Sequence, residues 1–142
     1  MELSNKNSLD RFIAGQDDKY CNAYSEIKRG FKYSCWMWYI FPILRELGYS
    51  KISNYYGIID LDEAREYLAH PILGKRLVDC CEALLVHTNK TAEDIFGAID
   101  DLKLQSSMTL FSLISEEGSI FHRVLDQFFD GVKDEQTLNL LK

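Results

Sequence analysis

From Leu9 onward, apolar and amphipathic residues return every three or four positions, at Phe12, Ile13, Gln16, Tyr20, Ala23, Tyr24 and Ile27. That is the spacing of one helical face, and it predicts a first helix running to about Arg29. Asp10 or Ser8 stands where a cap would open it, and Lys28 and Arg29 suit the negative end of the helix dipole. Gly30 can take the left-handed conformation that ends it. The apolar string Cys35 to Phe41 is too short for its period to separate strand from helix. Ser34 as a cap favours a helix, and Pro42 drives Phe41 out of helical conformation, so a break is expected there. After Gly48 the pattern reads as a polar, tyrosine-bearing connection through Tyr55, Tyr56 and Gly57.

The second half is more regular. Asp60 with Glu63 three residues on reads as a variant capping box, with Ala64, Tyr67 and Leu68 facing inward. Pro71 suits the first position of the following helix, which leaves His70 at a corner. Leu73, Leu77, Cys80, Cys81 and Leu84 form the next stripe, and Thr91 with Asp94 marks another start. Further helices follow from Asp101 to about Ser115, from Ser119 to Phe129 and from Glu135 to Leu141, punctuated by Gly118 and Gly131. No long run of alternating residues demands a sheet and no repeat appears, so the fold class expected is all-α, with about six to eight helices.

Composition sharpens this picture. A chain of 142 residues with 46% hydrophobic and 27% charged positions suits a single domain, with a polar tail over about residues 1–8. A net charge of -6 disfavours nucleic acid and anionic membrane as partners, since both reward a basic surface. The apolar run Trp36 to Leu44 is interrupted by Pro42 and is about half of what a membrane-spanning helix needs. The segment Met1 to Asp10 lacks the apolar stretch of a secretory signal, which makes a cytoplasmic location the expectation. Cys21, Cys35, Cys80 and Cys81 have no knuckle or redox spacing, and His70, His87 and His122 are scattered. No metal site or cofactor is expected.

The strings also resemble a known family. Leu9-Asp10-Arg11-Phe12 with Gln16, Trp36-Met37-Trp38, Ile40-Phe41-Pro42, Tyr56-Gly57-Ile58, His70-Pro71, Leu73-Gly74 and Arg76-Leu77 occur in order. Ile95-Phe96-Gly97, Asp101, Lys103-Leu104 and Ser106-Ser107-Met108-Thr109-Leu110-Phe111 follow. Together they resemble the bacterial domain-of-unknown-function family 1810 from Leu9 to Leu141, which implies an all-helical fold. Cys35 stands where the family usually carries His, and Ile43 where it usually carries Gln. Some members carry the label calpastatin, but that inhibitor is a disordered, repetitive chain, unlike this one.

The candidate chemistry lies in two strings. Trp36 and Trp38 point about 160° apart on a helix but share a face on a strand. Either serves as core, or as a stacking wall for a flat ligand. Lys103, Ser106 and Ser107 lie within one helical turn, the spacing at which a desolvated lysine can activate a serine. Alternatively Lys103, Arg11 or Lys32, with the hydroxyls of Ser106, Ser107 and Thr109, recognise a phosphate or carboxylate. Arg11 and Gln16 lie about 140° apart on a helix, so they do not both face one ligand. Asp101 reads as a helix-start acid and His70 as a corner hydrogen-bonding group. Two functions are thus in view. The first is binding, or hydrolysis, of a small anionic or nucleotide-like ligand at Trp36, Trp38, Lys103, Ser106, Ser107, Thr109, Arg11 and His70. The second is a non-enzymatic helical module that docks another protein or a second copy of itself.

Overall fold

The computed structural model describes residues 9–141, and the polar tail expected over residues 1–8 lies outside them. Among the described residues there are ten α-helices, six of them seven residues or longer, and no strand. They are α1 Asp10–Gln16, α2 Tyr20–Arg29, α3 Met37–Ile40, α4 Lys51–Tyr56 and α5 Leu61–Ala69. The remainder are α6 Leu73–Leu85, α7 Ala92–Phe96, α8 Asp100–Ser112, α9 Ile120–Phe129 and α10 Glu135–Leu140, with a 3-10 turn at Arg45–Leu47. None is long and apolar enough to cross a membrane.

The expected first helix is two. α1 stops at Gln16 and the chain turns through Asp17, Asp18 and Lys19, with the Lys19 N–H bonded to the Gln16 carbonyl at 3.0 Å. Two successive aspartates are poor helix formers. The Gln16 side chain is drawn into the core, where its amide donates to the Tyr39 carbonyl at 2.6 Å. The apolar period survives the break, which is why spacing alone reads through it. Leu9, without a side-chain cap, precedes α1 and Asp10 falls in its first turn, while Ser8 lies outside the described residues. Gly30 ends α2 in the left-handed region at φ 85°, as its position predicts.

Ser34 does not cap α3, which starts at Met37 behind Trp36. Its hydroxyl and backbone instead bond the Glu26 carboxylate. Phe41 leaves the helical region at φ -125° and ψ 76°, the break Pro42 requires. The stretch expected as a polar connection contains α4, opened by a reciprocal capping box between Ser50 and Ser53. Asp60 caps α5 through the Glu63 N–H at 2.9 Å, but the Glu63 side chain turns away to another partner. α6 opens at Leu73, later than Pro71, because the His70 ring caps it. His70 Nδ1 accepts from the Ile72 and Leu73 N–H groups at 3.1 and 3.3 Å.

The predicted stripe of α6 is buried throughout, and the Thr91–Asp94 capping box opens α7 as the spacing indicates. α8 packs on α7, α9, α10 and α5, so Leu104, Met108, Leu110 and Phe111 sit at the centre of the core. Gly74 lets α6 approach α5 so closely that a β-carbon there would overlap the Leu68 carbonyl.

Candidate functional site

Three segments meet where both candidate strings end up: the loop after α2, the short α3, and the first turn of α8. The Lys32 N–H donates to the Ile95 carbonyl at 2.8 Å, which ties the loop to α7 just before α8 begins. Glu26 fixes the rest of the loop. Its carboxylate accepts from the Tyr33 N–H at 2.8 Å, the Ser34 N–H at 3.0 Å, the Ser34 hydroxyl at 2.7 Å and the Trp36 indole at 2.8 Å. Burial pushes this carboxyl up, and the four donors outweigh burial, so it stays below the ordinary carboxylate range.

Trp36 and Trp38 lie on a helical turn and therefore separate. Trp36 is buried, tilted against Phe41 and edge-on to Phe96, and serves as core. Trp38 is only half-buried. Lys103 reaches across from α8, with Nζ 5.0 Å from the Trp38 ring centroid and 3.3 Å from Asp100 Oδ1. Lys32 takes the other oxygen, with Nζ 2.8 Å from Asp100 Oδ2 and 5.1 Å from the Trp36 ring. One carboxylate thus holds two ammonium groups, each over a different indole. Such cation–ring contacts contribute about 0.5–2 kcal/mol according to how far they are desolvated. Lys103 keeps 28% of its side chain exposed against 11% for Lys32, so it is the more accessible of the two charges.

The other candidates are placed elsewhere or spent on structure. Arg11 is buried, pairs with both oxygens of Glu63 at 3.2 and 3.1 Å and donates to the Gly57 carbonyl at 2.6 Å. His70 is the cap of α6. Thr109 is buried, donating to the Gln105 carbonyl and accepting from the Asp134 N–H, both at 2.8 Å, so it fastens α10 to α8. Ser106 donates back to the Leu102 carbonyl at 3.2 Å. Ser107 is fully buried and its hydroxyl has no hydrogen-bond partner among the described residues. Because the Lys103 ammonium is committed to Asp100, it does not serve Ser107, and the serine–lysine pair suggested by spacing is not formed. Asp101 is half-buried with one oxygen lacking a partner, and burial, joined by the nearby Glu93 and Asp100 charges, raises its carboxyl pKa.

A second polar constellation was not visible as a group in the sequence, because its members come from α1, α2, α3, α5 and α6. Gln16 is buried, with its amide nitrogen donating to the Tyr39 carbonyl at 2.6 Å and the Tyr67 hydroxyl at 3.1 Å. Its amide oxygen accepts from Arg76 at 3.1 Å, and the Arg76 guanidinium lies 4.7 Å from the Tyr20 ring centroid. Burial, with Cys80 and Asp79 nearby, raises the Tyr20 phenol. Burial likewise pushes the Cys80 thiol up to about 12, which leaves it protonated and unreactive. Among the described residues no group of three or more His, Cys, Asp and Glu is placed to hold a metal ion.

Comparison with known proteins adds fold and family. The crystal structure of the conserved hypothetical protein Rv1873 from Mycobacterium tuberculosis superposes with a TM-score of 0.93 and 39% sequence identity. The match covers 96% of this chain and 98% of that one. No protein with a curated description matches. Residues 6–141 match the model of the protein family of unknown function DUF1810, and the chain belongs to that family.

Proposed function

We propose that this chain binds a small, flat, anionic ligand of nucleotide-like character at the Trp38–Lys103 surface. The observation that carries the reading is the partly exposed Lys103 ammonium held over the half-buried Trp38 ring, with Asp100 and Lys32 behind it. A planar ligand competes with Lys103 for the Trp38 face, and its anionic group competes with Asp100 for the ammonium. Two lysines share the one Asp100 carboxylate, so an anionic group that displaces Lys103 from it meets an ammonium without stripping Asp100 of a partner. Ser107 and Thr109 sit in the core, so the ligand contacts are reduced to Trp38, Lys103, Lys32 and the rim hydroxyl of Ser106. With no activated nucleophile among these, binding is preferred over hydrolysis. The four free cysteines fit a reducing compartment, and the cytoplasm is the location proposed.

A thermal-shift screen against nucleotides and central metabolites tests the reading, because a ligand specific for the native state raises Tm by mass action. Trp38→Ala and Lys103→Ala should each abolish the stabilisation by a hit while remaining folded. Unchanged stabilisation in both variants would sink the proposal.

One observation favours a second reading, a module that docks another protein or a second copy. Phe31 and Tyr33 are 48% and 71% exposed and pack edge-to-face at 4.8 Å between centroids, a rigid aromatic pair facing solvent. Light scattering across a wide concentration range, with Tyr33→Ser as control, separates the two. A concentration-independent monomer removes self-association.

A further inference from the structure

The groove between α2 and α6 carries a charged group that the fold positions and leaves uncompensated. Arg76 has five N–H donors, and its one hydrogen bond among the described residues goes to a neutral acceptor, Gln16 Oε1. The neighbouring carboxylate, Asp79, is taken by Lys75 at 2.9 Å. Gln16 cannot rotate its amide to relieve this arrangement. Its nitrogen is committed to the Tyr39 carbonyl and the Tyr67 hydroxyl inside the core, so the oxygen is aimed at Arg76. The Tyr20 ring supports one side of the guanidinium at 4.7 Å. The fork is therefore oriented by a buried side chain and an aromatic ring, with most of its in-plane donors open, the arrangement that matches a planar or tetrahedral oxyanion.

One turn further along α2, past Tyr20, there is room for the body of a ligand. Tyr20 stacks on Tyr24 at 5.8 Å with the ring planes 21° apart, and Tyr24 lines a cavity of about 460 Å³ together with Lys28, Glu82, Ala83, Val86 and His87. That volume falls in the range of small-molecule sites. The small side chain of Ala83 and the apolar Val86 give it a partly apolar wall. Lys28 holds its Nζ 5.5 Å from the Tyr24 ring centroid there, with Glu82 on the same lining, so the cavity itself carries one charge of each sign. His87 donates from Nε2 to the Ile27 carbonyl at 2.7 Å, which leaves Nδ1 as an acceptor.

We infer that Arg76, mounted on Gln16 and Tyr20, anchors a second ligand site, distinct from the Trp38–Lys103 surface. It takes the carboxylate or phosphate group of a small organic anion whose ring or chain lies along Tyr20 and Tyr24. The pairing is bidentate, and Arg76→Lys, which keeps the charge and loses the fork, weakens it.

The test is an NMR titration of the whole chain with phenyl phosphate and with benzoate, against sodium chloride at matched ionic strength, following the Arg76 Nε–H resonance together with the Tyr20 and Tyr24 backbone N–H resonances, which persist in the Arg76 variants. A saturable shift with either probe and none with chloride is expected. Phenyl phosphate alone shifting it assigns the site to phosphates, and both shifting it shows that a carboxylate suffices. Arg76→Met should raise the half-saturation concentration at least about tenfold, the factor to which about 1.4 kcal/mol corresponds. Lys103→Ala should leave it unchanged, so that failure here and failure of the Trp38–Lys103 reading are separate results. Because the wild-type resonance is itself a readout, the test stands even where Arg76→Met is poorly folded. A shift that does not saturate, one that chloride reproduces, or a titration unchanged in a folded Arg76→Met would overturn the assignment.

Discussion

Replacing Glu26 by Gln isolates the interaction that presents the tryptophan segment. Glu26 is 5% exposed, and Oε1 alone accepts from the Tyr33 N–H, the Ser34 N–H and the Trp36 indole. A glutamine keeps the shape and an acceptor oxygen but removes the charge. Hydrogen bonds to a charged group contribute about 1.5–3 kcal/mol each, against about 0.5–1.5 for neutral pairs. The three bonds share one acceptor, so their differences do not simply add, and the expected cost is about 2–3 kcal/mol. At about 4 °C per kcal/mol for a chain of this length, Tm should fall by roughly 8–12 °C. The loss must also depend on pH. The folded carboxyl titrates below its ordinary value, so its contribution is complete above the unfolded pKa near 4.3 and disappears as pH falls through the lowered folded value. Urea denaturation of wild type and Glu26→Gln should therefore show a wide gap at about pH 7 that narrows below about pH 4. A gap under about 0.5 kcal/mol at neutral pH, or one that stays constant into acid, would refute the reasoning.

Three further outcomes follow from the packing. Gly74→Ala forces a β-carbon onto the Leu68 carbonyl and should lower stability by at least about 3 kcal/mol through separation of α5 and α6, measured by thermal denaturation. Glu63→Ala leaves Arg11 buried beside a lost partner and should cost about 3–5 kcal/mol, read from urea midpoints. Ser107→Ala removes a buried hydroxyl that has no hydrogen bond among the described residues, so stability should hold or rise by up to about 1 kcal/mol, and ligand-induced stabilisation should persist. A large destabilisation on that substitution would show that the hydroxyl has a partner.

Helices α7, α9 and α10 were legible in the chain because their caps are local. Thr91, Ser119 and Asp134 each bond an N–H three residues ahead, and the apolar stripes of α6 and α9 are regular. The α1–α2 break was not, because the apolar period runs through the Asp17–Lys19 turn, and the bond that anchors the end of α1, from Gln16 to Tyr39, spans 23 residues. Ser34 has the residue type of a cap, yet the Glu26 carboxylate outcompetes α3 for it. The same contrast holds at the site. Trp38 and Lys103 could be nominated by residue type, and the fold brings them within 5.0 Å. Ser107 and Thr109 share the string with Lys103, but they point into the core, because one turn of helix spreads neighbours over every direction. Arg76 carried no local signal, since Gln16 and Tyr20 belong to other elements and only tertiary packing joins them.

The chain has two tryptophans, and this makes the central claim directly observable. The Trp36 indole is buried and bonded to Glu26, while Trp38 is half-buried under Lys103. Titrating the chain with adenosine monophosphate, or with the strongest hit of the thermal-shift screen, and following the two indole N–H resonances distinguishes them. Binding as proposed shifts the Trp38 resonance saturably and further than that of Trp36, and fails in Lys103→Ala. A saturable, stabilising ligand that leaves the Trp38 resonance unmoved would contradict the account.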